Sequence, residues 1–540
     1  MLKTAHKPVA NAAAATEHKG RELSFTQSLR RACQTVADKV AVVDGERSFS
    51  WRELGDRSAR LAGAMQGLGM APGDRVAILA NNCHQYAEYY YGVPWGGGVF
   101  VPLNYRLAAA ELTAILVDAD VRILLVDDAN LALSQDMLAA SPVQHVVHIG
   151  HRDSPPGMLR YEDLLAGAAA VEDFGGSGDD VVCLFYTSGS TGKPKGVMHT
   201  HTNLMASALT FAAQIGLNDN TVAMISAPMF HVGAAGLCIP ALVSLGSVVM
   251  LPRFDGLEAL RTIERYRVTV TSCVPTMLRM MIDQPAAGEL DLSSMEAFLY
   301  GASPMPESLV VEAQKYFPKT RFVPCYGMTE STASVTSLPS FYTRPENWHL
   351  GKANSIGRAL IGCELAIVDA QDRFLPAGEN GEIVVRGPLV MKGYWNQPEL
   401  TAQTLRNGWL HTGDLGYMDE IGIFHIVDRL KDMIISGGEN VYSAEVEAAL
   451  YAYPGVAQCA VIGIPHEKYG ESVHAVLSPS NGVLLDPAAL LAHCHSRIAG
   501  YKCPRSFDIW QTSLPLSGAN KINKPALRAP YWEGRASRLI

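Results

Sequence analysis

Short apolar runs alternate with amphipathic stretches through the first third of the chain. The apolar runs at residues 74–80, 98–103 and 121–128 have the length and the flanking turns that are typical of buried strands. The stretches at residues 50–69 and 109–120 carry apolar side chains at the spacing of a helix face. Strand, helix and strand in series predict parallel sheets covered by helices, which is the α/β class.

The pattern changes after Ile356. Residues 362–387 alternate apolar and polar positions between turn residues, which predicts a smaller β-rich subdomain. Residues 424–466 then combine a strand, a polar joint at 428–432, a Gly-Gly loop, a helix that begins near Ser443 and ends before Pro454, and a final strand. This order predicts a compact α+β unit at the C-terminus, with a large domain at 1–428 and a small domain at 429–540.

Composition and charge exclude several classes of protein. Hydrophobic residues make up 48% and charged residues 18% of the 540 residues, which is enough for large cores and too apolar for a disordered chain. The net charge of -9, without a run of lysines or arginines, argues against a nucleic-acid partner. The ten cysteines lack CxxC spacing and have apolar neighbours. They therefore predict reduced, buried thiols in a cytoplasmic protein rather than a disulfide framework or a zinc site.

Two segments bear on the question of membranes. Residues 1–20 lack an apolar core, which argues against a secretory signal. Residues 232–251 are long enough to cross a bilayer, but Pro240 and several glycines favour a buried helix, a turn at Gly246 and a strand. We therefore predict no integral membrane segment.

The stretch YTSGSTGKPKG at residues 186–196 contains little that could build a core. Its glycines can turn backbone amides around an anion, and its hydroxyls and lysines can bind phosphate oxygens. A Walker A loop needs four residues between its first glycine and the Gly-Lys-Ser/Thr unit. Here Gly189 and Gly192 are separated by two residues, and Pro194 follows Lys193. The stretch predicts a phosphate-binding loop of another kind, and a solvated turn is the alternative.

This loop resembles the signature of the adenylate-forming superfamily, which comprises acyl-CoA synthetases, adenylation domains of nonribosomal peptide synthetases and firefly-type luciferases. Four more stretches resemble family motifs in the family's order, namely YGMTE (326–330), GWLHTGDLG (408–416), DRLKDMIISGGENV (428–441) and LPLSGANKINK (514–524). The resemblance covers nearly the whole chain. It implies an acyl-CoA synthetase-like fold, with a large N-terminal domain and a small mobile C-terminal domain.

The resemblance also implies an AMP-forming acyl-CoA ligase. A carboxylic acid and ATP would form acyl-AMP and pyrophosphate, and the acyl group would then pass to CoA with release of AMP. Because the acid and ATP are both anionic, charge neutralisation and positioning would supply most of the catalysis. The implied partners are a small-molecule carboxylic acid, ATP and CoA, with Mg²⁺ as the cofactor and a homodimer as one possible assembly.

The family's nucleotide contacts map onto matching positions of this chain. Glu330 matches the acidic residue used toward Mg²⁺, Thr329 the contact to the α-phosphate, and Tyr326 the aromatic that stacks on adenine. Asp414 matches the carboxylate that accepts both ribose hydroxyls, and Arg429 a second ribose contact. The structural alternatives are a core tyrosine, a turn-forming aspartate and a surface arginine. The other implied contacts are Thr187, Ser188, Gly189, Ser190, Thr191, Gly192 and Lys195 on the phosphates, and Gly301, Ala302, Ser303, Gly327 and Met328 beside the nucleotide.

Lys521 is implied as the catalytic lysine that bridges the substrate carboxylate and the α-phosphate. The family usually has Thr-Gly-Lys at this place, whereas this chain has Ala519, Asn520 and Lys521. Asparagine tolerates positive φ, so the loop could keep its shape. Lys524 lies nearby and is the alternative for this role.

The thioester step is assigned to the C-terminal domain through the resemblance. The family rotates this domain about a joint residue, and Lys431 occupies the matching position. Gly437, Gly438 and Glu439 would then replace Lys521 at the site, with the glycines leaving room for the pantetheine arm of CoA. The alternatives are an ordinary surface lysine and a plain glycine turn.

His231 matches a family histidine at the entrance between the acid and the nucleotide, where it would gate the pocket or orient the carboxylate. A satisfied core histidine is the alternative. Alanines and glycines follow it, so no charged side chain is placed to pair the ammonium group of an amino acid. We therefore expect an apolar acid, which could be fatty, cyclic or aryl-propenoic. The predicted acyl pocket consists of Val232, Val274, Met277 and Met328.

Three other functions compete with the CoA ligase. A stand-alone adenylation enzyme would load an acyl carrier protein instead of CoA, and a luciferase-like enzyme would consume oxygen. A catalytically inactive nucleotide-binding module should lack Lys521, Asp414 or Glu330, and all three are present. The sequence therefore ranks the inactive module last.

Overall fold

The computed structural model describes residues 22–188, 194–301, 305–429, 432–436, 439–480, 482–517 and 521–533. The helices are α1 (Gln27–Thr35), α2 (Trp51–Gly67), α3 (His84–Trp95), α4 (Ala109–Asp118), α5 (Leu131–Leu138), α6 (Tyr161–Gly167), α7 (His201–Ile215), α8 (Val232–Val243), α9 (Gly256–Tyr266), α10 (Pro275–Ile282), α11 (Glu307–Ala313), α12 (Ser340–Thr343), α13 (Pro398–Thr404), α14 (Ser443–Tyr451), α15 (Pro487–His495) and α16 (Lys524–Trp532). Short 3₁₀ turns lie at Pro285–Gly288, Thr329–Ser331, Pro345–Leu350 and Gly500–Lys502.

The strands are β1 (Val40–Asp44), β2 (Arg47–Ser50), β3 (Arg75–Leu79), β4 (Val99–Pro102), β5 (Ile123–Val126), β6 (His145–His148), β7 (Leu159–Arg160), β8 (Val181–Ser188), β9 (Pro194–Thr200), β10 (Val222–Ile225), β11 (Ser247–Met250), β12 (Val270–Ser272), β13 (Ala297–Tyr300), β14 (Arg321–Tyr326), β15 (Thr336–Ser337), β16 (Arg358–Ala359), β17 (Glu364–Val368), β18 (Gly381–Arg386), β19 (Gly393–Tyr394), β20 (Leu405–Arg406), β21 (Trp409–Met418), β22 (Phe424–Arg429), β23 (Ile434–Ser436), β24 (Glu439–Val441), β25 (Val456–His466), β26 (Gly470–Pro479) and β27 (Ser506–Ile509).

The chain forms two compact units. Unit 1 comprises Met1–Glu364 with Val385–Leu410, and unit 2 comprises Leu365–Val384 with His411–Ile540. By compactness, residues 365–384 and 411–428 group with the C-terminal residues, whereas the sequence placed them in the first domain. The predicted boundary at 428/429, as a joint for movement, stays a prediction.

Unit 1 contains two sheets that carry its core. Sheet A has the strand order β16-β15-β14-β13-β12-β10-β11-β1-β2, and sheet B has the order β19-β9-β8-β4-β3-β5-β6-β7. The strands from β14 to β1 in sheet A, and from β8 to β7 in sheet B, run parallel to their neighbours. Buried apolar side chains of both sheets pack with those of α3, α7 and α8 in one core. The predicted parallel sheets covered by helices are therefore confirmed.

Unit 2 is built mainly on two smaller sheets. In sheet C, β18 lies between β17 and β21, and β22 pairs antiparallel with β21. In sheet D the order is β24-β23-β26-β25, and β27 runs parallel to β26. Helices α14 and α15 cover sheet D, with Val446, Leu450 and Leu490 in the shared core. Unit 2 therefore has the α+β character that the sequence predicted.

The local sequence explains several of these elements. Helix α2 begins with a capping box, in which the Ser50 hydroxyl accepts from the Glu53 amide at 3.2 Å and the Glu53 carboxylate accepts from the Ser50 amide at 2.7 Å. The apolar segment 232–251 forms α8, a turn and β11, as its proline and glycines predicted. Within the described residues, no helix has both the length and the apolar composition that a bilayer crossing requires.

Candidate functional site

Several residues predicted for the site lie where parallel strands of sheet A end. The loop that carries His231 follows β10, Val274 follows β12 by two residues, Gly301 directly follows β13, and Tyr326 ends β14. Because carboxyl ends of parallel strands meet at one edge, this edge gathers side chains from distant parts of the sequence. Open α/β sheets bind their ligands at such edges.

The phosphate-binding loop is described only at its two ends. Thr187 in β8 pairs with Lys195 in β9, and Ser188 pairs with Pro194. The antiparallel pairing thus brings the two ends of the loop together. The predicted contacts Gly189, Ser190, Thr191 and Gly192 lie outside the described residues, as do Ala302 and Ser303 of the adenine-side stretch. Their roles stay predictions.

A buried carboxylate, a phenol and an ammonium group form one cluster beside this loop. Glu330 is 7% exposed, and its Oε1 accepts a hydrogen bond of 2.7 Å from the Tyr394 hydroxyl. The Lys195 ammonium lies 5.4 Å from the centre of the Tyr394 ring, within cation–π range. Burial, and secondarily the charge of Glu330, raise the pKa of Tyr394, which keeps its hydroxyl protonated as a donor. Tyr394 therefore connects two residues predicted to bind ATP and Mg²⁺.

Sequence reasoning missed Tyr394. It lies 64 residues from Glu330, in β19, which pairs with β9 so that Tyr394 faces Val197 in the register. Nothing in the local sequence shows this pairing. The glycine before it, Gly393, has a φ of 147°, so the sequence marks an unusual backbone at this point but not its partner strand.

The turn after Glu330 has a strained backbone that buried hydrogen bonds hold in place. Thr332 and Ala333 have φ values of 52° and 77°, in the left-handed region that non-glycine residues rarely adopt. The Thr332 hydroxyl donates to the Leu389 carbonyl at 2.7 Å and therefore accepts from His199 Nδ1 at 3.0 Å. Burial lowers the pKa of His199 to about 3, so the ring is neutral at ordinary pH. This network fixes the turn that follows Glu330.

Backbone packing requires glycine at two positions that were predicted to lie beside the nucleotide. A Cβ at Gly327 would lie 1.6 Å from the Ala333 carbonyl oxygen, and a Cβ at Gly301 would lie 2.5 Å from that of Cys325. Because both obstacles are backbone atoms, neither can move aside as a flexible side chain would. Gly301 thus lets the neighbouring strand β14 approach closely, and its place beside the nucleotide stays a prediction.

His231 is exposed and lies at the start of α8. Its Nδ1 accepts a hydrogen bond of 3.0 Å from the Gly233 amide, which caps the helix. Its exposure argues against a histidine that is satisfied within the core. The ring therefore lies at the surface of the carboxyl edge of sheet A, which is compatible with its predicted role.

The predicted acyl residues differ in their surroundings. Val274, Met277 and Met328 are half-buried, and Met277 packs against the core formed with α9, α10 and α11. Val232 is buried within the main core of unit 1. Tyr326 and Thr329 are also half-buried, so neither is a plain core residue.

In unit 2, the predicted ribose residues are adjacent across two strands. Asp414 in β21 pairs with Arg429 in β22, and Asp414 is 7% exposed. The Glu382 carboxylate holds the preceding residues of β21 by accepting from the Gly413 amide at 2.9 Å and pairing with His411 Nδ1 at 2.7 Å. The register thus places the two predicted ribose residues side by side, the side chain of Arg429 lies outside the described part, and both ribose roles stay predictions.

The two lysines that competed for the catalytic role have different environments. Lys521 is exposed, next to the bridge between Leu516 and Ile522. Lys524 is largely buried, and its ammonium contacts a Glu447 carboxylate oxygen and the Ser443 hydroxyl, each at 2.7 Å. Burial raises the pKa of Glu447, and Lys524 opposes this shift. Lys524 thus stabilises the fold by pairing with Glu447.

The predicted thioester residues are only partly described. Glu439 is exposed at the start of β24 and pairs with Ser436 of β23. Gly437 and Gly438, together with the predicted joint residue Lys431, lie outside the described residues.

Comparison with known proteins places this geometry in context. Two family models match, described as AMP-binding enzyme over residues 29–395 and as AMP-binding enzyme C-terminal domain over residues 445–521. A feruloyl-CoA synthase from Amycolatopsis sp is 40% identical over 498 residues, covering 91% of this chain and 96% of the relative. A long-chain-fatty-acid–CoA ligase from Mycobacterium tuberculosis is 35% identical over 485 residues, covering 89% and 93%. The solved structure of the anthranilate CoA ligase AuaEII in complex with anthranoyl-AMP is similar with a TM-score of 0.85 at 26% identity, covering 94% of this chain and 97% of that one.

Proposed function

Because the chain belongs to the family of AMP-binding enzymes and is an AMP-forming acyl-CoA ligase, we propose that its acid substrate is an aryl-propenoic acid of the ferulic acid type. The observation that carries this proposal is the 40% identity to the feruloyl-CoA synthase across nearly the full length of both chains. Identity to the fatty-acid ligase is 35%, which makes a fatty acid the second choice.

The surroundings of the predicted acyl pocket agree with a largely apolar acid. Val274, Met277 and Met328 are half-buried, so each offers apolar surface near the carboxyl edge of sheet A. Methionine adapts its shape and makes favourable contacts with aromatic rings, which suits an aryl group. No acidic side chain follows His231 in α8 to pair an amino acid's ammonium group, within the helix that the structure describes.

Unit 1 supplies the groups that we propose for ATP and Mg²⁺. Glu330 is suited to be a magnesium ligand, because it is a buried carboxylate whose position is fixed by Tyr394. When bound, Mg²⁺ would neutralise charge on the phosphate oxygens. Lys195 and the loop hydroxyls would bind the outgoing pyrophosphate, and Tyr326 would stack on adenine. His231 would orient the carboxylate of the acid.

Unit 2 supplies the remaining proposed roles. Asp414 and Arg429 would bind the ribose hydroxyls, and Lys521 would stabilise the charge that develops as the carboxylate attacks the α-phosphate. Lys431 would act as the joint residue, and Gly437, Gly438 and Glu439 would serve the thioester step. The predicted homodimer and cytoplasmic location stay predictions.

A panel of acids tests the proposed substrate. The purified chain would receive Mg²⁺, ATP, hydroxylamine and either ferulate, cinnamate, palmitate, a cyclic alkanoate or phenylalanine, and acyl hydroxamate would be measured. We expect the highest kcat/KM with ferulate or cinnamate. A preference for palmitate would replace the aryl-propenoic proposal with the fatty-acid one, and a preference for phenylalanine would overturn the apolar pocket.

The acceptor is tested separately. Free CoA and a phosphopantetheinylated acyl carrier protein would be offered to the enzyme with its best acid, and thioester would be quantified by mass. We expect turnover with free CoA. Turnover with the carrier protein alone would favour the stand-alone adenylation enzyme.

A further inference from the structure

The loop at residues 226–231, which leads from β10 to His231, is held by one buried side-chain amide. Asn82 is 3% exposed. Its Nδ2 lies 3.1 Å from the Ile225 carbonyl oxygen and 2.9 Å from that of Ala227, and its Oδ1 accepts from the Met229 amide at 2.8 Å. A single asparagine thus satisfies three backbone groups at the start of the 226–231 loop.

Asn82 comes from the other sheet of unit 1 and is itself fixed. It follows β3 of sheet B, and the preceding residue, Asn81, donates twice to one Asp127 carboxylate oxygen, at 2.9 Å from its amide and 2.8 Å from its Nδ2. Asn82 Nδ2 also lies 3.2 Å from the Leu251 carbonyl oxygen, at the end of β11. Strand ends from both sheets therefore converge on Asn82.

Tyr90 completes the hold on the loop. Its fully buried hydroxyl donates to the Met229 carbonyl at 2.6 Å. The amide and the carbonyl of Met229 are then both bonded to buried side chains, Asn82 and Tyr90. The His231 amide in turn donates to the Pro228 carbonyl at 3.0 Å, so the turn that ends at His231 contains the anchored residue Met229.

From these contacts we infer that Asn82 is a positioning residue, which places His231 for the adenylation reaction. This inference rests on the proposed function. Asn82 does not touch the reacting atoms; it acts through the backbone of the 226–231 loop. Loss of its hydrogen bonds would leave buried polar groups unpaired and let the loop move, and a displacement of about 1 Å at a reacting centre can cost about 100-fold in rate.

A double-mutant cycle tests the inference on the full chain. Asn82→Ala, His231→Ala and the double variant would be compared with the wild type in hydroxamate formation, with the fastest acid of the panel as the probe. We expect Asn82→Ala to lower kcat/KM for the acid about 10- to 100-fold, with KM for ATP changed by no more than about twofold. In the His231→Ala background, the same change should cost no more than about twofold, because the residue it places is gone.

Two further variants make the outcome decisive. Tyr90→Phe removes only the hydroxyl bond to Met229. We expect a smaller loss of kcat/KM than in Asn82→Ala, and this loss should also vanish in the His231→Ala background. If Asn82→Ala does not fold, the Tyr90→Phe cycle tests the inference in its place. Thr320→Val is the matched control, since Thr320 donates a buried bond of 2.9 Å to the Met295 carbonyl at the opposite edge of sheet A. It should lower stability and leave kcat/KM unchanged.

The contrary outcomes are distinct. Equal losses from Asn82→Ala or Tyr90→Phe in both backgrounds would overturn the inference, as would wild-type kinetics of His231→Ala. A wild-type enzyme without turnover of any acid would reject the proposed function and the inference together.

Discussion

Glu330 in unit 1 and Lys521 in unit 2 are held in opposite ways. Glu330 is buried, accepts a hydrogen bond from Tyr394 and precedes a strained turn that His199 helps to fix. Lys521 is exposed beside a short bridge, and only three residues later Lys524 lies in an ion pair with Glu447. The predicted magnesium ligand of unit 1 is thus held by buried contacts, whereas in unit 2 the predicted catalytic lysine is exposed and its neighbour Lys524 stabilises the fold through a largely buried ion pair. Chemistry and stability should therefore be coupled around Glu330 and separable around Lys521.

The largest effect is expected from breaking the buried pair in unit 2. Lys524→Ala would leave the largely buried Glu447 carboxylate without its cation, which costs about 3–5 kcal/mol in comparable pairs. Hydrogen exchange of the amides of α14 and β26 in the full chain measures this loss. Replacing both partners, as Lys524→Met with Glu447→Gln, should recover most of it, because no uncompensated charge remains and the glutamine oxygen can still accept from the Val461 amide. Unchanged exchange in Lys524→Ala would contradict a structural role.

The second largest effect is expected from replacing the neighbouring lysine, Lys521. Lys521→Ala should slow acyl-AMP formation about 10²–10³-fold, as loss of a charge-stabilising donor does in other enzymes, without changing hydrogen exchange in α14. Pyrophosphate release measures the first step, and thioester formation from supplied acyl-AMP measures the second. The second step should stay largely intact. Equal failure of both steps, or a slower first step in folded Lys524→Ala, would show that the assignment of the two lysines is wrong.

A smaller effect is expected from a change in the cluster that Glu330, Tyr394 and Lys195 form in unit 1. Tyr394→Phe keeps the ring under Lys195 and removes the hydroxyl bond to Glu330, which for a charged acceptor is worth about 1.5–3 kcal/mol. We expect the Mg²⁺ concentration for half-maximal hydroxamate formation to rise about tenfold or more. Tyr266→Phe is the control, because its hydroxyl donates at the surface to the Gly45 carbonyl at 2.6 Å. An unchanged Mg²⁺ requirement in Tyr394→Phe would show that Tyr394 does not support the proposed Mg²⁺ site.

The smallest effect is a pH dependence of stability. His199 is neutral when folded, since burial lowers its pKa to about 3, whereas an unfolded histidine binds a proton below about pH 6.5. Stability should therefore fall as the pH decreases from about 6.5 toward 3, by up to about 1.4 kcal/mol per pH unit for this group. His201, whose pKa burial lowers to about 4, acts with the same sign.

Urea midpoints between pH 7 and pH 5 measure this dependence. His199→Gln should reduce the pH dependence of the urea midpoint and leave only the part that His201 contributes. The exposed His349→Gln is the control and should reproduce the wild-type slope. An unchanged slope in His199→Gln would contradict the neutral buried state.

Much of the fold could be predicted because its signals are local. The predicted helix at 50–69 is α2, the predicted strand at 74–80 is β3, and the apolar segment 232–251 is α8 followed by β11. Periodicity, a capping box and a proline-containing apolar run each act within a few residues. The acyl-CoA synthetase-like fold that the motifs implied is confirmed by the similarity to a solved CoA ligase.

The candidate site was less accessible to sequence reasoning. The motifs pointed to Glu330 and His231, but not to the residues that hold them, because those bonds are long-range. Tyr394 reaches Glu330 across 64 residues and Asn82 reaches Met229 across 147 residues. Such contacts depend on the order of strands in the sheets, which the spacing of residues along the sequence does not reveal. The sequence left open whether Lys521 or Lys524 is the catalytic lysine. The ion pair of Lys524 and the exposure of Lys521 favour Lys521, whose catalytic role stays a prediction.

The backbone contact at Gly327 has a practical consequence for changing which acid this enzyme accepts. Since a Cβ there would collide with the Ala333 carbonyl, and one at Gly301 with that of Cys325, both positions should stay glycine in any engineered library. Diversity is better placed at Val274, Met277 and Met328, whose side chains retain some exposure. Larger or smaller residues at these three positions would alter the proposed acyl pocket while the peptide scaffold beneath them stays as it is.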